Sequence, residues 1–277
     1  MKYALIALAL VVQVSPYRAE IQKFRDNRAT EIGAETGWIA LTDLSWLDKT
    51  GDFTIGRGAA NQIVLKAPSA PERLGMLNVT DTAVSLQPAS GAPITFRANR
   101  PIAEAFTLGG MKMSLIERAK RRALRVWDAK APARVAFRGL HWLPIDEKWH
   151  IDAKFEPHTP APIIKIQNIV GQIVDMPNPG AVVFTVGGKA YRLEALLEGP
   201  DEQELFFMWK DGTSAKTTYG SGRYLYTPLP KNGRVDLDFN RAMNPPCAFT
   251  TFATCPLPPA ANRLPIDVSA GELDYHK

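Results

Sequence analysis

The chain has 277 residues, of which 45% are hydrophobic and 22% charged. That is enough apolar material for a sizeable core and excludes global disorder. The net charge of +5 is mild and comes with no nucleic-acid module, so no nucleic-acid partner is expected.

The first residues, MKYALIALALVVQVSPYRAE, place Lys2 ahead of an apolar run from Tyr3 to Val14 that only Gln13 interrupts. Such a run is too short to span a bilayer and has the length of a signal-peptide core. The expectation is a signal peptide over residues 1–19, cut after Ala19. The protein is then periplasmic or secreted, with no stable membrane span once the signal is removed. The alternative is an apolar N-terminal helix. A helix is expected from Arg18 to Glu35, corresponding to residues 20–36 of a mature chain. Ile21, Phe24, Arg28 and Ile32 share one of its faces, while Arg25, Asp26 and Glu31 point elsewhere. Gly33 and Gly37 end it.

From residue 37 to 277 the texture is that of short apolar runs between turn residues. Gly37–Leu41, Leu44–Leu47, Phe53–Ile55, Gln62–Leu65, Gly75–Val79 and Ala83–Leu86 are strand candidates. Met111–Ile116 and Ala123–Trp127 follow, joined by a basic turn of Arg118, Lys120, Arg121 and Arg122. That turn reads as a solvated hairpin end rather than a binding patch. Trp149, Ile151, Ala153 and Phe155 alternate with His150, Asp152 and Lys154 in the period-2 pattern of a half-buried strand. Ala181–Val186, Gly187-Gly188 and Ala190–Leu193 read as a hairpin, and Glu204–Lys210 as a further strand. Strand signals at this spacing predict one mainly β domain over 37–277, a sandwich or partly open barrel.

The stretch Asp236–Leu264, DLDFNRAMNPPCAFTTFATCPLPPAANRL, holds both cysteines of the chain. Its prolines exclude a long helix or a central strand. An extended segment lying over the fold is expected, with Asp238, Asn240, Asn244 and Asn262 supplying partners for its backbone. Cys247 and Cys255 form a disulfide in an oxidising compartment or remain buried thiols. The four histidines show no zinc spacing, so no metal site is assigned. No dinucleotide, Walker, H-E-x-x-H or G-x-S-x-G motif is present, and no cofactor is identified.

Candidate site residues cluster late in the chain. In Asp211–Leu225, DGTSAKTTYGSGRYL, Arg223 stands between Tyr219 and Tyr224 behind two glycines. A guanidinium there suits an anion. The competing reading is a structural arginine paired with Asp211 or Asp238. Asn240 and Asn244 are expected to lie near this loop and to complete a ligand site. Asp211, Asp238 and Glu272 are the candidate acid–base carboxylates, against capping and turn roles. Cys247 as a nucleophile would need a base such as His141. Two function classes follow. One is an exported protein that binds a small anionic ligand through Arg223 and Tyr219. The other is a hydrolase-like enzyme using Asp211, Asp238 or Glu272. A structural envelope protein is a third.

The runs D-G-T, T-Y-G-S-G-R-Y-L, D-F-N-R-A-M-N-P-P-C-A-F, C-P-L-P-P and N-R-L, with A-G-E near the end, resemble those of a bacterial and archaeal family. It is catalogued as the domain of unknown function 1684. The early G-W-I-A-L-T-D-L-S-W-L and the central F-R-G-L-H-W-L-P-I-D are similar to the same family's other blocks. The resemblance spans Gly37 to Glu272 and implies that these blocks form one shared unit. It carries no activity. Relatives without an export signal would keep the two cysteines as thiols.

Overall fold

The computed structural model describes residues 15–199 and 202–276. The predicted apolar signal core therefore lies outside the described residues. Helix α1 (Pro16–Gly33) starts earlier than its sequence pattern indicates, because Ser15 caps it and Pro16 occupies the first turn. Ile21 and Ile32 are buried as expected. Arg25 is buried too, contrary to the helical-face reading, because Trp142 covers it with the guanidinium carbon 4.8 Å from the ring centroid. The run from Gly37 begins as a single 3-10 turn, Trp38–Ala40, before strand β1 (Leu41–Trp46).

The first half of the chain makes two sheets. Strands β2 (Gly51–Gly56), β3 (Ile63–Val64), β4 (Gly75–Val79), β5 (Val84–Pro88) and β6 (Ile94–Phe96) form one, in the order β3-β2-β4-β5-β6. Strands β7 (Phe106–Leu108), β8 (Met111–Arg118) and β9 (Arg121–Asp128) join β1 in the other, ordered β1-β9-β8-β7. Their inner faces meet in one core: Ile55, Leu77 and Leu86 from the first sheet, Met113, Leu115, Leu124 and Val126 from the second. This is a two-sheet sandwich.

A short helix α2 (Pro132–Ala136) leads into the second half. Strands β10 (His150–Pro157), β11 (Ile163–Gln167), β12 (Ile173–Pro177), β13 (Gly180–Val186), β14 (Lys189–Ala195), β15 (Glu204–Trp209), β16 (Arg223–Pro228) and β17 (Arg234–Asp238) follow. One sheet is ordered β14-β13-β10-β17, and β11-β12 and β15-β16 are separate hairpins. Gly187 and Gly188, both at positive φ, make the β13–β14 turn that the sequence indicates. The β15–β16 hairpin is covered on both faces. Leu205, Phe207 and Trp209 enter the core of the four-stranded sheet, whereas Phe206 and Met208 pack with β11, β12 and Cys255. That explains its unbroken apolar run.

The protein is thus mainly β, built of open sheets, with no closed barrel among the described residues. The chain from residue 37 onward packs around two separate large cores, one drawn from residues 47–126 and one from 149–270. No described helix is long and apolar enough to cross a membrane.

Candidate functional site

Arg223 opens β16 and is fully buried beside Trp209, its guanidinium carbon 5.4 Å from that ring. Gly222 before it stands at a φ of +102°, and a Cβ there would meet the Trp209 carbonyl oxygen at 2.4 Å. Nη2 of Arg223 lies 2.5 Å from Oδ2 of Asp211 and donates to the Val268 carbonyl, while Nη1 donates to the Ala270 carbonyl. Of the two partners considered for this arginine, Asp211 is the one present. Both terminal nitrogens are therefore taken up by protein groups, which hold the last segment of the chain onto the hairpin.

The other residues singled out from the sequence are placed as follows. The Tyr219 hydroxyl donates to the Cys247 carbonyl at 3.1 Å. Asp238 accepts from Tyr17 and from the Asn240 amide, each at 3.0 Å. Asn240 donates to the Tyr17 hydroxyl and the Asp146 carbonyl, so it sits at the start of α1 rather than at the Tyr219 loop. Asn244 does reach β16, because the Tyr224 and Met243 backbones pair at 2.9 Å in both directions. The Asn244 backbone N–H and Nδ2 each donate to Glu272 at 3.0 Å. Burial pushes the Glu272 carboxyl up to about 7, against the Arg28 guanidinium and these two donors. Cys247 and Cys255 are free thiols, with the Cys247 N–H donating to Cys255 Sγ at 3.1 Å. The hydrogen bond with Cys247, and then burial, raise the Cys255 thiol well above the usual range.

A cleft of about 550 Å³ opens between the two halves. Arg28 from α1, Trp38, Arg118 and Arg125 from the sandwich, and Tyr224 and Tyr226 from β16 line it. Asn244 and Cys255 lie in its wall, with Glu31 and Glu198 as its two carboxylates. The candidate acids Asp211, Asp238 and Glu272 are not among the lining residues.

Arg125 is the unusual member. It is 7% exposed, in the central strand β9, and its Nε has no hydrogen-bond partner among the described residues. Its guanidinium stacks 5.2 Å from the Trp38 ring. Burial, with Arg118 nearby, pushes it down to about 10. A buried charge normally has a paired, hydrogen-bonded partner. Arg28 donates to the Asn244 carbonyl at 2.9 Å, and its Nε stands 3.8 Å from Glu272 Oε2 as an ion pair without a hydrogen bond, whereas Asn244 Oδ1 has no partner among the described residues. The cleft thus gathers buried polar groups that the protein itself leaves unsatisfied.

Arg125 is not among the residues expected at a site, although the strand pattern carries a signal for it. Ala123 and Trp127 share its face, while Leu124 and Val126 occupy the other. A strand apolar on both faces is buried on both, and its lone charge with it. Among the described residues no group of three or more His, Cys, Asp or Glu is placed to hold a metal ion.

A family model described as "Protein of unknown function (DUF1684)" matches residues 135–273, and the chain belongs to that family. The match takes in the central and C-terminal motif blocks, but not the early block at Gly37–Leu47. It supplies the Tyr224, Tyr226 and Asn244 wall of the cleft, whereas Arg28, Arg118 and Arg125 precede it. The chain is also similar to an uncharacterized protein of Haloarcula marismortui solved by solution NMR. The two are 28% identical, with 50% of this chain and 78% of that chain covered, at a TM-score of 0.44. Comparison with curated proteins finds no match.

Proposed function

We propose that the protein binds a small anionic molecule in the cleft between its two halves. The observation that carries this reading is Arg125, a buried guanidinium facing a cavity without a carboxylate partner. Water solvates an exposed arginine, but a buried one needs an acceptor that delivers charge at the same place. Arg118 and Arg28 add positive charge to the same walls, and Trp38 and the two tyrosines offer apolar surface to the rest of a ligand. Isothermal titration of the purified protein with a panel of anionic metabolites tests this, repeated on Arg125→Met. Binding that disappears in the variant supports the reading. Failure of every anion to bind the native protein overturns it.

The hydrolase-like alternative has one observation in its favour, a Glu272 carboxyl held near neutrality. Asn244 holds that carboxylate and also lines the cleft, so any proton transfer would run through or around that amide. Turnover of a bound ligand that Glu272→Gln abolishes, with affinity kept, would establish it.

An exported form that keeps the cap of α1 would be cut ahead of Ser15. Cleavage after Ala19 would remove the cap of α1 and Tyr17, which bonds Asp238 and stacks on His150 at 4.9 Å. N-terminal sequencing of the mature protein decides the position.

A further inference from the structure

A second cavity of about 380 Å³ adjoins the cleft and shares Trp38, Arg118 and Arg125 with it. Its floor is the outer face of the β1-β9-β8-β7 sheet. Strand register puts Ser114 opposite Arg125, and alternate residues of β8 (Ser114, Ile116 and Arg118) point the same way as Arg125 and Trp127 of β9. Arg100 closes one side. Three arginines and no carboxylate line this compartment, although Arg100 is paired with Glu104 beyond the lining, its Nε donating at 2.7 Å, whereas two glutamates line the larger one.

The Trp127 side chain is 5% exposed, and its Nε1 has no partner among the described residues. An indole nitrogen can only donate, so it needs an acceptor. Arg125 Nε makes the same demand from the neighbouring strand position. The Ser114 hydroxyl adds a third donor between them. The larger compartment makes the opposite demand. Asn244 Oδ1, fully buried and unpartnered, can only accept, Glu31 accepts as well, and Glu198 accepts beyond the bond that its Oε2 takes from the Tyr226 hydroxyl at 3.1 Å.

We propose that the ligand is an organic phosphate, with its phosphate group in the smaller compartment and a hydroxyl- or amino-bearing body in the larger. This deepens the anionic-ligand reading and rests on it. A phosphate monoester brings close to two negative charges and three terminal oxygens, enough to meet two guanidinium groups and the indole N–H together. A carboxylate brings one charge and two oxygens. The body's hydroxyl or amino groups then satisfy Asn244 Oδ1 and Glu198, and its apolar faces lie on Trp38 and Tyr226.

The test is isothermal titration of the full chain with inorganic phosphate, ribose 5-phosphate, ribose and succinate. It is made on the native protein and on Trp127→Phe, Ser114→Ala, Glu198→Gln and Arg125→Met. The expected result is that phosphate binds, ribose 5-phosphate binds more tightly, and succinate binds more weakly than phosphate. Trp127→Phe weakens both phosphates by about tenfold, the loss of one hydrogen bond to a charged group. Ser114→Ala, which removes one exposed-side hydroxyl and leaves the fold, weakens both by several-fold. Glu198→Gln weakens ribose 5-phosphate and leaves inorganic phosphate unchanged. Phosphate binding unaltered in both Trp127→Phe and Ser114→Ala would overturn the placement of the phosphate. Succinate binding more tightly than phosphate would overturn the phosphate class, while leaving an anion cleft. Anion binding that survives Arg125→Met would overturn the parent reading itself.

Discussion

The sharpest consequence of an unpartnered buried arginine is that removing it should stabilise the empty protein. In Arg125→Met the unbranched methionine fills much of the same volume without a charge. Burial lowers the Arg125 guanidinium to about 10. That drop spans roughly two to three pH units at about 1.4 kcal/mol each. Keeping the group charged at neutral pH therefore costs about 3 kcal/mol. The stack on Trp38 at 5.2 Å returns about 0.5–2 kcal/mol, and the variant loses it. The balance is a gain of about 1–2 kcal/mol, or roughly 2–6 °C in melting temperature for a chain of this size. The assay is thermal and urea unfolding in a phosphate-free buffer, since any bound anion would stabilise the native protein by mass action. Anion affinity should fall about thirtyfold or more in the same variant. A variant less stable than the native protein, with anion affinity unchanged, would refute the reasoning. Arg125 would then be an ordinary structural cation.

Three further outcomes follow from the same geometry. Arg223→Met leaves Asp211 buried without its partner and should destabilise by about 3–5 kcal/mol in urea unfolding, with anion binding retained in the folded fraction. Glu272, held at about 7, binds its proton more tightly folded than unfolded. Its contribution is thus full below about pH 4 and is lost as pH rises through 7, by about 3 kcal/mol in all. Urea midpoints between pH 4 and 8 should show this slope, and Glu272→Gln should flatten it. The Asn262 side chain binds Glu194 N–H, the Glu194 carbonyl and the Met208 carbonyl. Asn262→Ala should therefore cost about 3 kcal/mol, read as a lowered urea midpoint with an unchanged m-value.

Much of the fold was legible because period-2 alternation and turn residues are local. The alternation through Phe155 and the Gly187-Gly188 hairpin appear where the pattern puts them, except that Trp149 closes a 3-10 turn and the strand itself starts at His150. Two things were not local. Arg25 lies on a polar stretch of α1 by helical spacing, and it is covered by Trp142, more than a hundred positions away in sequence. Arg118 reads as a hairpin end, and its Nη1 does bond Asn99 and the Glu117 carbonyl. Yet the second half of the chain is what turns its neighbourhood into a cleft. The glycine-flanked Arg223 reads either as an anion site or as a structural arginine, with the structural reading ahead. Local sequence leaves open which of Asp211, 12 positions away, and Asp238 is its partner, and the fold supplies Asp211.

The proline-rich stretch matters for a reason different from its backbone capping. Between Cys247 and Cys255 the chain leaves the second half and touches the first. Thr250 donates to the Leu41 carbonyl at 3.3 Å, Phe252 packs with Ala40, Leu41 and Trp127, and the Lys66 ammonium sits 5.2 Å from its ring. On its return Cys255 and Pro256 line the cleft, and Tyr224 donates to the Pro256 carbonyl at 2.5 Å. One short loop therefore contacts Trp127 behind the smaller compartment and builds a wall of the larger. Prolines at 245, 246, 256, 258 and 259 restrict the unfolded chain on either side of it, so ordering the loop loses less entropy than a flexible link would. A rigid bridge of this kind fixes the spacing between the Arg125 and Tyr226 walls, which is the preorganisation that the proposed anion site would need.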